Sequence, residues 1–153
     1  MVRPDKIESV LLDASALIGV IVDDPEFRCL RSLLEAVDRG EVRLVESTAI
    51  LAEVLHRHED DAKEHQFARD LIRELLLSPA TQLVDVSIAV ARKAGELRER
   101  HGLKTWDAVH LATAIVAEVD ILIARDRKLI EGEYEGVHVT TPFDIDDDKL
   151  FGG

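Results

Sequence analysis

Short apolar runs, each the length of one buried strand, alternate along this chain with longer helical stripes, and that alternation leaves few folds open. Val10–Leu12, Val42–Val45, the segment QLVDVS, ILIA at 121–124 and VHVTT from Val137 are five candidate strands. Each is bounded by turn or cap residues and is too short for an ordinary helix. Between them, Phe27, Leu30, Leu33, Leu34 and Val37 form one helical stripe that stops at Gly40, where a residue tolerant of positive φ belongs. Ile50, Leu51, Val54 and Leu55 mark another behind Ser47 or Thr48 as cap, and FARDLIRELLLSP resumes helical spacing until Ser78 and Pro79. Val90, Ala94 and Leu97 follow the cap Ser87 and end at His101 and Gly102, while Thr105 is the expected cap of a last helix with Asp107 in its first turn. Strands separated in this way by helices are joined by right-handed crossovers. The expectation is an α/β chain with a mainly parallel sheet of about five strands and helices on both faces.

With 153 residues, 46% of them apolar, the chain suits one domain with a full core. We place that domain at residues 1–145 and read 146–153, part of the run DIDDDKLFGG, as an acidic, disordered tail. No apolar run has the length of a membrane span, and the opening MVRPDKIES carries Asp5 and Glu8 where a secretory leader has a basic start and an apolar core. A cytoplasmic protein with no membrane partner is expected. Cys29, the single cysteine, reads as a small packing residue. The net charge of −12 argues against indiscriminate nucleic-acid binding, because phosphates reward Lys and Arg. It leaves open a polyanion substrate met through bound cations.

Four acids stand out by position. Asp13 ends VLLD, Glu53 borders the inward stripe of AILAEVLHR, Asp107 opens TWDAVHLATAI, and Asp126 follows ILIAR. Open α/β sheets place their ligand crevice outside the carboxyl ends of the strands, which is where Asp13 and Asp126 fall. Oxygen donors without Cys or His partners suit hard cations such as Mg²⁺ or Mn²⁺. Two such ions roughly 3.5–4 Å apart would clamp the oxygens of an in-line phosphodiester displacement and activate the attacking water. Two carboxylates about 4 Å apart repel by roughly 4 kcal/mol at an effective dielectric of 20, so without a cation one of the set is expected to hold a proton or turn away.

LLDASALIG, AEVLHR, TWDAVHLATAI and ARDRKL, in this order and at these intervals, resemble the PIN-domain nucleases, in particular the small VapC-type toxins of toxin–antitoxin pairs. The resemblance covers about residues 8 to 143. It implies a Rossmann-like α/β/α sandwich, a Mg²⁺- or Mn²⁺-dependent endoribonuclease, frequent dimerisation, so that a homodimer is expected, and a cognate antitoxin as partner. Single-stranded or loop RNA is the expected substrate, because sequence-selective proteins generally read unstacked loops and ends. Carried over by position, the family's catalytic and metal-binding acids are Asp13, Glu53, Asp107 and Asp126, and its small hydroxyl residue is Ser15. The chain departs from the pattern at Ala124, where the family commonly has Thr or Ser, which bears on how many metals it holds.

Two enzyme rivals fail on residues. A haloacid-dehalogenase phosphatase needs a second Asp where Ser15 stands, and a phosphoacceptor receiver domain needs an acidic pair on its first loop. The rival of another class is a catalytically silent PIN-like module that binds a partner. His110 reads as a packed, hydrogen-bonded residue, His56, His58 and His65 as exposed surface, and Trp106 stays unassigned. Arg98, Arg100 and Lys104 before Asp107, with Arg125, Arg127 and Lys128 around Asp126, are the basic residues an RNA path would use.

Overall fold

The computed structural model describes residues 7–56, 62–124 and 132–142. The chain runs β1 (Ser9–Leu12), α1 (Ala14–Ile21), a 3₁₀ turn (Pro25–Phe27), α2 (Cys29–Asp38), β2 (Arg43–Ser47), α3 (Ala49–Val54) and α4 (Lys63–Leu77). It continues with β3 (Thr81–Val84), α5 (Ile88–His101), α6 (Thr105–Val116), β4 (Ile121–Ile123), β5 (Gly132–Tyr134) and β6 (Val137–Thr140). The sheet order is β3-β2-β1-β4-β6-β5, parallel except for the β5–β6 pair. Crossovers from β1 run out to β2 and β3, and the chain then returns to place β4 on the other side of β1, so the order reverses at the β1–β4 pair.

The expected mainly parallel α/β/α sandwich is observed, with six strands in place of five. The added strand, GEY, carries no apolar alternation and so left no mark in the sequence. It exists because Glu135 and Gly136 both take positive φ, 47° and 91°, the two-residue turn that matches the twist of a hairpin. One cap differs from expectation. Lys104 precedes α6 without a side-chain cap bond, which leaves Thr105 as the first helical residue. Thr48 makes no cap bond at α3, where the Ser47 hydroxyl instead accepts the Ala49 N–H at 3.2 Å. Ser87 caps α5 as expected, and Gly102 closes it at φ 64°.

Alternation along the buried strands divides the core in two. Val10, Leu12, Leu44, Ile121 and Ile123 point to the layer of α1 to α4, while Leu11, Val45, Leu122, Val137 and Val139 point to that of α5 and α6. Period 2 sends neighbours to opposite faces, and parallel strands covered on both sides need apolar residues at every position. Gly19 lets the Phe27 ring lie directly on α1, because a Cβ there would collide with the ring. That contact fixes α1, whose first residues lie at the carboxyl edge of the sheet and whose last turn faces α4.

Asp120 defines the opposite edge. Its Oδ2 accepts the N–H groups of Glu8 and Ser9 at 2.8 and 3.1 Å, and its own N–H donates to the Ser9 hydroxyl. This acid is satisfied by backbone and ties β1 to β4 at their amino ends.

Candidate active site at the carboxyl edge of the sheet

Asp13 leaves β1 and caps α1. Its Oδ1 accepts the Ala16 N–H at 2.9 Å and the Ser15 hydroxyl at 2.7 Å, so Ser15 serves as a donor to the cap and is not itself the cap. The side chain is buried, with only 4% of the residue exposed. Burial pushes its carboxyl above the usual range, the bonds from Ser15 and Ala16 and the nearness of His110 oppose the rise, and Asp107 adds to it. Burial, more than the neighbouring carboxylate, thus makes Asp13 hold its proton more tightly than in water.

Glu53 comes from α3 and Asp107 from the first turn of α6, on opposite faces of the sheet. One turn beyond Asp107, the buried His110 reaches Glu53, with its Nε2 and Glu53 Oε1 hydrogen-bonded at 2.5 Å. His110 is packed and hydrogen-bonded, and its partner is one of the four singled-out acids. Its Nδ1 is buried without a hydrogen-bond partner among the described residues. The helix layers are therefore pinned to each other across the strand ends by a His–Glu bond.

Asp126 lies outside the described residues, as do Arg125, Arg127, Lys128, His58 and the tail. Ala124 is buried in the α5–α6 layer of the core, with its N–H on the Thr140 carbonyl. Of the remaining basic residues, Arg98 and Arg100 occupy the last turn of α5, and Arg98 Nε donates to the Leu103 carbonyl at 3.3 Å. His56 is exposed and Cys29 half-buried. Trp106 is exposed to 53%.

A fifth acid was missed by the sequence reading. Glu46 lies within β2, fully buried, with Oε1 accepting the Leu12 N–H at 2.9 Å and Oε2 unpartnered among the described residues. Burial raises its carboxyl well above the ordinary range, the Leu12 bond opposes the rise, and Asp13 and Glu53 add to it. The available signal was an acid flanked by buried positions in RLVES, where a strand covered on both faces leaves no solvent for a charge.

Asp13 feels Asp107 and His110, Glu46 feels Asp13 and Glu53, and Glu53 touches His110. Among the described residues no three His, Cys, Asp or Glu side chains close on one point to hold a metal ion. The donor chemistry nevertheless fits a hard divalent cation. It consists of carboxylate oxygens in a buried setting, where two carboxyls are already pushed toward the protonated form and Glu53 has turned to a histidine.

A family model of the PIN domain matches residues 10–132. The chain belongs to the PIN domain family. PIN domains are generally nucleases, and the family uses divalent metals. No curated protein sequence matches this PIN domain. Among solved structures it is similar to a toxin–antitoxin complex from Klebsiella pneumoniae, at 24% identity and TM-score 0.61 over 89% of this chain and 99% of that one. It is also similar to VapBC2 from Rickettsia felis bound to a promoter DNA fragment, at 19% identity and TM-score 0.62, covering 87% and 98%. DNA-bound VapBC from Salmonella typhimurium matches at 14% identity and TM-score 0.63, covering 89% and 99%. At these identities the likeness is one of fold. No helix among the described residues is long and apolar enough to cross a membrane.

Proposed function

We propose that this PIN domain is a Mg²⁺- or Mn²⁺-dependent endoribonuclease of the VapC type, acting in the cytoplasm as the toxin of a toxin–antitoxin pair. The reading is supported by the electrostatic influence of Asp107 and His110 on Asp13 and by the His110–Glu53 bond, with Asp13 at the carboxyl edge of β1, where the strand order reverses. Asp13, Glu53, Asp107 and Asp126 are the residues that would hold the cation. When bound, the cation supplies Lewis acidity toward the phosphodiester and the attacking water. Ser15 holds the Asp13 carboxyl through its Oδ1, and His110 holds Glu53. Arg98, Arg100 and Lys104, with Arg125, Arg127 and Lys128, offset the phosphate charge of the RNA. Unstacked, single-stranded segments are the favoured substrate because their bases and backbone can be splayed into a crevice.

The antitoxin reading has a surface of its own. A groove of about 1030 Å³ runs between α1, α2 and α4, floored by Val20, Leu34 and Leu75 and flanked by Phe67 and Leu71, which are 67% and 50% exposed. Glu35, Asp38, Glu64 and Glu74 also line it. An apolar segment carrying basic residues complements such a lining, and we assign the groove to the antitoxin.

The test is incubation of radiolabelled RNA with Mn²⁺, comparing wild type with Asp107→Ala. The variant should cleave on the order of 100-fold more slowly or worse, about 2.7 kcal/mol of barrier. Equal cleavage by both sinks the site assignment, and cleavage by neither leaves a silent partner-binding module.

A further inference from the structure

The sheet loses one of its strand pairings at the site. β1 stays paired with β4 through Leu12 and Ile123, and the Asp13 N–H continues that ladder to the Ile123 carbonyl at 3.1 Å. On its other side β1 is in register with β2 only at Ser9–Arg43 and Val10–Leu44, although β2 itself continues alongside β3 to Ser47. Beyond Val10 the pairing of the two strands stops. Continuing the register sets Leu12 opposite Glu46, and the Leu12 N–H that would have entered the ladder is taken by the Glu46 carboxyl.

A closed ladder would hold β1 and β2 about 4.8 Å apart to their ends. A side-chain carboxyl inserted between them holds them wider while still satisfying the buried donor. An apolar residue at this position, following Leu44 and Val45, would avoid the cost of burying a carboxyl but would leave the Leu12 N–H bare. The residue after Leu12 is Asp13. We propose that Glu46 is a positioning residue for the cation site: its carboxyl wedges β1 from β2 and, through the Leu12 N–H, sets the backbone from which Asp13 enters the crevice. The inference rests on the metal-dependent reading above. Burial pushes the Glu46 carboxyl well above its ordinary range, and the nearby Asp13 and Glu53 add to the rise.

The test uses the full chain labelled with ¹⁵N, as wild type, Glu46→Gln and Glu46→Leu, with Glu46→Met as a second apolar variant in case leucine disrupts folding. Two quantities are read: amide exchange at Leu12 without metal, and the Kd for Mn²⁺ by calorimetry. Glutamine keeps an acceptor for Leu12 and should stay within about twofold of wild type in both. The apolar variant should exchange the Leu12 amide about tenfold faster and weaken Mn²⁺ binding by about 10–100-fold, the usual range when a partner behind a metal ligand is lost. A purely structural Glu46 would lower Tm and leave the Kd alone, which overturns the proposal. Glutamine as damaging as leucine also overturns it, because charge rather than the hydrogen bond would then matter. If wild type shows no Mn²⁺ affinity, the nuclease reading falls and takes the cation role of Glu46 with it. An unchanged Leu12 amide in the apolar variant removes the wedge alone.

Discussion

The carboxyl edge of β1 and the groove between α1, α2 and α4 break the ordinary rules of a protein surface in opposite senses. At the edge, Asp13 and Glu46 are carboxyls shut away from water, and in the groove Phe67 and Leu71 are large apolar side chains left in it. Buried acids and exposed apolar patches are the two departures that carry information, because each costs stability in the isolated chain and is relieved by something bound. The edge calls for positive charge, and the groove calls for apolar surface. Both are organised by α1, which Asp13 caps and whose Val20 and Ile21 reach the groove.

If the two regions serve different ligands, each can be disabled without the other. The largest expected effect is at the edge. Mn²⁺ at about 100 times its Kd should stabilise the wild type by roughly 2.7 kcal/mol. Thermal denaturation should register this as a rise in Tm of about 5–10 °C at this chain length. Asp13→Asn should abolish most of that rise, and an unshifted wild-type Tm counts against the cation site. Next in size is Leu71→Asp in the groove, which should weaken antitoxin binding by about 2 kcal/mol, near 30-fold, as for a central apolar contact. RNA cleavage by this variant should match wild type. If Leu71→Asp instead dissociates a homodimer in sedimentation, the groove is a self-interface and the division of roles fails.

The smallest effect follows from pH. Asp13 and Glu46 have folded-state pKa values raised above those of the unfolded chain, chiefly by burial. Their contribution to stability is therefore complete below the ordinary carboxylate range and is lost as pH rises through the folded values, since the native state then holds protons the unfolded chain has released. Metal-free protein should lose Tm across that window, by about 2–4 °C per kcal/mol. Glu46→Gln, which cannot ionise, should flatten the slope. A metal-free Tm that climbs with pH over the same window contradicts the burial of these acids.

Much of the architecture was legible because it rests on local periodicity. Short apolar runs such as Leu11–Leu12 and Ile121–Ile123 have no use outside a doubly covered sheet, and the alternation of strand and helix leaves parallel crossovers as the connection. Asp13 and Asp107 stood out because each sits at an element boundary, a local property, and the tertiary structure brings them within each other's field. The hairpin strand Gly132–Tyr134 was invisible because its stability comes from β6 and a turn, not from its own residues.

Glu46 shows where sequence reasoning stops. Taken alone, it is one acid in a polar-looking strand end, RLVES. Only the register of β1 on β2 sets it opposite Leu12, and only the end of their pairing leaves an N–H for it to satisfy. The same holds for His110, whose partner Glu53 lies 57 residues away in the other helix layer. The chain by itself determined its elements, their alternation and the acids at their ends, because propensity and burial pattern act over a few residues. Which acids meet, which are driven toward protonation and which hold a neighbour's backbone was decided by the packed sheet, because desolvation and hydrogen bonding depend on groups that sequence distance does not relate.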